Sequence, residues 1–131
     1  MFKYKSLLAS AARTATPTDA TLTIAAKESG SGMAHIEVVH ILVDVTAVTA
    51  TPSVVFTIEN YNQATNSYYP VLSATAITAT GTTVLKVGLG ITPSAGSAAN
   101  DMVTNQFRVV PTHGDADSIT YSVGANIVYT N

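Results

Sequence analysis

The chain has 131 residues and no cysteine, enough for one domain that buries roughly two thirds of its surface on folding, without disulfide staples. Charged residues are only 11 % of it and the formal net charge is −2, against roughly 25 % charged residues in an ordinary soluble domain. That excludes a nucleic-acid binder, which needs concentrated Lys and Arg, and no apolar run approaches the ~18 residues of a membrane span. A surface of Thr, Ser, Asn, Gly and Ala carries little repulsion to hold copies apart. Such a chain is suited to docking.

The first element is a strand over 3–13. Residues 1–6 read either as an extended N-terminal arm, with Phe2 and Tyr4 as anchors on a neighbour, or as the outer end of that strand. The apolar stretch that follows Lys3 and Lys5 is short and interrupted by Ser6 and Ser10, too weak for a signal peptide. Thr16-Pro17-Thr18-Asp19 is a turn, followed by a strand over 20–27 and a reversal at Glu28-Ser29-Gly30-Ser31-Gly32.

Over 35–48 the pattern has period two: Val39, Ile41, Val43 and Val45 on one face, His40, Leu42, Asp44 and Thr46 on the other. This is a central strand. After Thr51-Pro52-Ser53, Val54, Phe56 and Ile58 alternate with Val55, Thr57 and Glu59, giving a strand over 53–61 and a reversal at 60–63. A strand over 67–78 follows, then one over 82–89 with Leu85, Val87 and Leu89 on its buried face. The stretch 71–82 echoes 7–18, an Ala/Thr-rich strand and turn in each case.

Residues 90–104 form a long connection of small residues, in which Ser97–Met102 suit a helical turn and Met102 and Val103 an apolar tip. Strands over 105–112 and 118–129 complete the chain. In the last of these, Ile119, Tyr121, Val123, Ala125 and Ile127 alternate with polar or small residues. About eight short strands with frequent turns make an all-β, single-domain antiparallel β-sandwich, jelly-roll or immunoglobulin-like, spanning 1–131.

Motifs of catalysis are missing: there is no Gly-x-Ser-x-Gly elbow and no phosphate-binding glycine loop. The densest polar cluster is His113-Gly114-Asp115-Ala116-Asp117. It reads first as a tight turn, with Gly114 at positive φ and the Asp side chains on nearby N–H groups; the other reading is a hard-cation site, for which its ligand set is thin. His35 and His40 are expected on opposite faces of one strand. Tyr61, Tyr68 and Tyr69 flank an Asn-rich hairpin tip, where they brace the hairpin, anchor a protein interface or stack on a sugar. No catalytic, cofactor or metal residue is assigned. The interface candidates are Phe2, Tyr4, Ile91, Pro93, Met102, Val103, Tyr61, Tyr68 and Tyr69.

Four segments carry a family resemblance: 42–48 (LVDVTAV), 56–61 (FTIENY), 73–82 (SATAITATGT) and 113–125 (HGDADSITYSVGA). Together they resemble a family of small proteins common in tailed-phage and prophage genomes, where such proteins lie among virion structural genes. The resemblance covers most of residues 38–128, and the run Asp115-Ala116-Asp117-Ser118-Ile119-Thr120-Tyr121-Ser122-Val123-Gly124 is its most specific part. It implies a non-enzymatic virion component without cofactors, foremost a capsid decoration (cement) protein. Such a protein would assemble in the host cytoplasm as a homotrimer and bind the major capsid protein at the capsid surface. A tail, neck or head-fibre subunit, or a receptor- or carbohydrate-binding module, is the alternative.

Overall fold

The computed structural model describes residues 2–18, 20–23 and 35–130. Among them nine strands form: β1 (Phe2–Arg13), β2 (Thr21–Thr23), β3 (His35–Val48), β4 (Val54–Asn62), β5 (Ser67–Ser73), β6 (Gly81–Gly88), β7 (Ala98–Asn100), β8 (Gln106–His113) and β9 (Ile119–Thr130). The expected β-sandwich is found. One sheet has the order β1-β9-β3-β6-β7 and the other β2-β8-β4-β5. Residues 24–27 of the expected second strand lie outside the described residues.

Strand pairing is nested. β1 pairs with β9, β2 with β8, β3 with β6 and β4 with β5, all antiparallel, so the chain is one long hairpin folded over on itself. The pairs β3–β9 and β4–β8 then join the layers into two sheets. This is the jelly-roll order, one of the two expected.

Period-two patterning explains which face is buried. Val39, Ile41 and Val43 of β3 are fully buried, as are Val54 and Phe56 of β4, Leu85 and Val87 of β6 and Ile119 and Tyr121 of β9. Each such side chain contributes about 1.5–3 kcal/mol by leaving water. Phe56 and Tyr121 meet across the two sheets edge-to-face, with ring centroids 5.2 Å apart, a favoured aromatic geometry. Proline falls where a sheet tolerates it. Pro70 lies on the edge strand β5, and Pro111 lies beyond the last β8 residue that β2 reaches.

Of the two readings of residues 1–6, the described ones follow the second, the outer end of the strand: Phe2 to Ser6 pair in register with Val128 to Gly124. Several sequence expectations need correction. The 90–104 connection has no helical turn over 97–102. It makes a tight turn, in which Ala98 N–H donates to Ser94 O at 2.9 Å, and then β7, which runs parallel to β6. The sandwich is therefore not wholly antiparallel. Leu89 lies past the end of β6, beside Gly90 at φ 84°, and is 72 % exposed rather than on the buried face. Residues 60–62 belong to β4 and 74–78 lie beyond β5, whose hairpin turns at 63–66 with Asn66 at φ 52°. A bulge between Ile36 and Val38 puts Ile36 and Val39 both in the core, so strict alternation does not hold between His35 and His40.

Replacing Phe56 by Ala should destabilise the fold by about 3–5 kcal/mol, through lost burial and a cavity under Tyr121. Urea unfolding followed by far-ultraviolet circular dichroism measures it; a loss under about 1 kcal/mol would contradict the assigned core.

Candidate functional site

Alternation along β9 fixes what the five-stranded sheet shows on its outer face. With Ile127 and Ala125 pointing inward, Val128, Asn126 and Gly124 point outward, and strand register carries that row across the sheet. Phe2, Val128, Val38 and Gly88 lie side by side. A Cβ on Gly88 would come within 3.2 Å of the Ile91 side chain, so Ile91 extends the row. The next row is Tyr4, Asn126, His40 and Lys86, and the one after it Ser6, Gly124, Leu42 and Val84. Tyr4 leans over Gly124, where a Cβ would meet its Oη at 2.6 Å. That glycine gives the ring its seat.

Around this row the exposed apolar side chains gather. Phe2 is 65 % exposed, Tyr4 57 %, Leu89 72 % and Met102 53 %. Leu89 directly follows Gly88 of the first row. Met102 is held to the same end of the sandwich, because Asn60 Nδ2 donates to Met102 O at 3.0 Å and Val103 bridges to Ile36. Tyr69, paired with Asn60, and Val128 are also exposed there. Of the large exposed apolar residues among those described, only Val48, paired with Ile119, lies at the opposite end. Exposed apolar side chains grouped at one end of a molecule are candidates for an interaction surface.

Asn60 is the buried polar residue that builds this end. Its Oδ1 accepts from Thr104 N at 3.1 Å, while Thr104 Oγ1 accepts from Tyr61 N and donates to Gln106 O. These bonds pin residues 102–106 to β4 and shape an open groove of about 390 Å³, lined by His35, Tyr61, Gln63, Met102, Thr104 and Gln106 among others. Val103 is buried at 6 % exposure, so it is a core residue and not part of an apolar tip.

The tyrosines divide by role. Tyr68 is half-buried: Arg108 lies over its ring at 4.0 Å, Tyr61 packs on it with centroids 5.0 Å apart, and Gln106 donates to its hydroxyl at 2.7 Å. Arg108 is in turn ion-paired to Glu59 at 2.6 Å. Tyr61 donates to Asn66 Oδ1. Tyr68 and Tyr61 thus brace the hairpin, and Tyr69 remains open. Ile91 is half-buried and Pro93 exposed, both at the β6–β7 margin.

The 113–117 segment uses its polar groups on itself. Asp117 N–H donates to Asp115 Oδ1 at 3.0 Å, and Asp117 Oδ2 accepts from Thr51 N–H at 3.1 Å. Gly114 does not take the positive φ expected of it; its N–H instead donates to Ser53 O at 2.8 Å. Among the described residues no group of three or more His, Asp or Glu is placed to hold a metal ion.

Sequence reasoning missed one cluster altogether. His113 Nε2 lies 3.0 Å from Tyr121 Oη, and the Arg13 guanidinium sits 4.6 Å over the Tyr121 ring. Arg13 also donates to the carbonyls of Ala9, Ala11 and Tyr121, which clips the end of β1 to β9. Burial pushes the Tyr121 phenol up to about 12, against the opposing pull of Arg13. Burial also draws the His113 imidazole below its ordinary 6.5, with Asp115 opposing and Arg13 adding to the effect. The partners lie in three separate segments of sequence, which no local motif links.

Two outcomes follow from this geometry. Asn60→Ala should cost about 1–3 kcal/mol for each backbone group it strands and speed hydrogen exchange at the Thr104 amide; unchanged exchange there would refute the pinning role. For His113, the unfolded chain takes up a proton that the folded chain resists, so folded stability should fall as pH drops through and below 6.5. Burial and the Lys86 charge lower His40 in the same direction. Thermal midpoints between about pH 7.5 and 5 should therefore slope less in His113→Gln, with His40→Gln removing more of the remainder; an unaltered slope would contradict the assignment.

No protein-family model matches this chain, and neither does any curated protein or solved structure.

Proposed function

We propose that this chain is a non-enzymatic structural protein of a phage particle, a capsid decoration (cement) protein that docks on the capsid lattice as an oligomer. The observation that carries this reading is the gathering of Phe2, Tyr4, Leu89, Met102 and Val128, all exposed, at one end of the sandwich. A chain with 11 % charged residues has little else to keep such a patch in water.

The other supports are independent of that patch. Jelly rolls serve in viral capsid proteins as well as in lectins and cupins, an analogy of fold and not of site. The sequence resemblance to phage virion proteins points the same way. Decoration also suits modest contacts, since oligomer formation and repeated lattice sites multiply weak binding. Each partner contact then needs on the order of 800 Å² of surface. A homotrimer at positions of local threefold symmetry on the major capsid protein meets these terms.

Light scattering should give a trimer, and the labelled chain should appear on the capsid in images of native particles. Changing Phe2, Leu89 and Met102 together to Ser should lower particle binding about tenfold or more, with the thermal midpoint nearly unchanged because all three are surface residues. A wild-type chain that stays monomeric and ignores assembled capsids would sink this reading. Labelling confined to tails or necks would move it to the alternative role there.

A further inference from the structure

Among the described residues β1 pairs with β9 on one side and with no strand on the other. An open edge offers a row of N–H and C=O groups to any extended chain, and proteins normally guard it. The two halves of β1 are guarded differently. Between Ser6 and Ala11 the register against β9 shifts twice, and Arg13 occupies the carbonyls of Ala9 at 2.7 Å and Ala11 at 3.2 Å. From Phe2 to Ser6 the register is unbroken, and no side chain bonds to that stretch of backbone among the described residues.

This open half has a charge pattern. Phe2 and Tyr4 lie on the outer face, opposite Val128 and Asn126, while Lys3 and Lys5 lie on the other face, opposite Ile127 and Ala125. All four are exposed. No carboxylate occurs anywhere in β1, and neither lysine has an ion-pair partner among the described residues.

We propose that Phe2–Ser6 is a strand-addition site for an extended segment of a partner protein, in which acidic and apolar side chains alternate. The incoming backbone would satisfy the open edge, which supplies affinity. Its acidic positions would face Lys3 and Lys5, and its apolar positions would lie against Phe2 and Tyr4, which supplies register. A second copy of β1 does not fit. Antiparallel self-pairing centred on Tyr4 sets Lys3 of one copy directly against Lys5 of the other, and like charges so placed repel. This inference deepens the docking reading by naming the segment recognised, and it rests on that reading for the existence of a partner.

The test uses the isotope-labelled full chain and an end-blocked peptide of about eight residues that alternates Glu and Val. Nuclear magnetic resonance should show the Phe2–Ser6 amides shifting and exchanging more slowly with solvent as peptide is added. The double variant Lys3→Glu, Lys5→Glu should bind about tenfold more weakly, and a peptide alternating Lys and Val should restore its binding. Unmoved β1 amides, or an affinity indifferent to charge reversal, would overturn the proposal. So would capsid binding that persists in the double variant after peptide binding is lost, although the decoration role would then survive. A chain that ignores capsids yet binds the acidic peptide with the charge swap intact would keep the strand-addition site and remove the capsid role.

Discussion

Everything in this molecule depends on β9 lying between β1 and β3. Its inward row of Ile119, Tyr121, Val123, Ala125 and Ile127 is buried almost completely, and its backbone carries the ladders to both neighbours. Without β9 the first strand would have no sheet to join, and β3 would lose one of its two ladders. The arrangement also decides what faces outward. Once the odd-numbered residues of β9 are committed to the core, Gly124, Asn126 and Val128 must form the outer face on which Phe2 and Tyr4 stand.

Much of this was legible in period two. Val39 to Val45, Val54 to Ile58 and Ile119 to Ile127 each announced a buried face, and those faces make the sandwich. The pattern failed where local chemistry overrode it. Leu89 continues the alternation of Leu85 and Val87, but β6 ends at Gly88 and Gly90 turns the chain, so the leucine is left in water. Val103 looked like an exposed tip in a stretch of small residues, yet the Asn60 bonds hold its neighbours down and it enters the core. Asn60 itself gave no signal, because an asparagine after a strand pattern ordinarily marks a turn.

The candidate surface was half legible. Phe2, Tyr4 and Met102 were recognisable as large apolar side chains near the chain's start or in a loop. That they share one end of the molecule follows only from register and from the Ile36–Val103 bridge. The tyrosines show the converse. Tyr68 had the composition of a binding residue, but Arg108, Gln106 and Tyr61 consume its ring and hydroxyl. Composition identifies which side chains can bind, and packing decides which remain free to do so.

Nested pairing also governs how quickly the chain reaches this state. The β4–β5 hairpin closes locally, but β3–β6, β2–β8 and β1–β9 join residues progressively farther apart, ending with Phe2 against Val128. Contacts of such long sequence separation place a protein among slow folders, since loop entropy is lost before the distant pairs form. The outermost strand, with Leu8 as its single buried side chain, comes last in that order. Because β1 precedes β9 by more than a hundred residues, during synthesis it is made well before the strand it pairs with. In that interval its aromatic, lysine-studded half has no partner strand, and like charges set against each other disfavour pairing between two such halves.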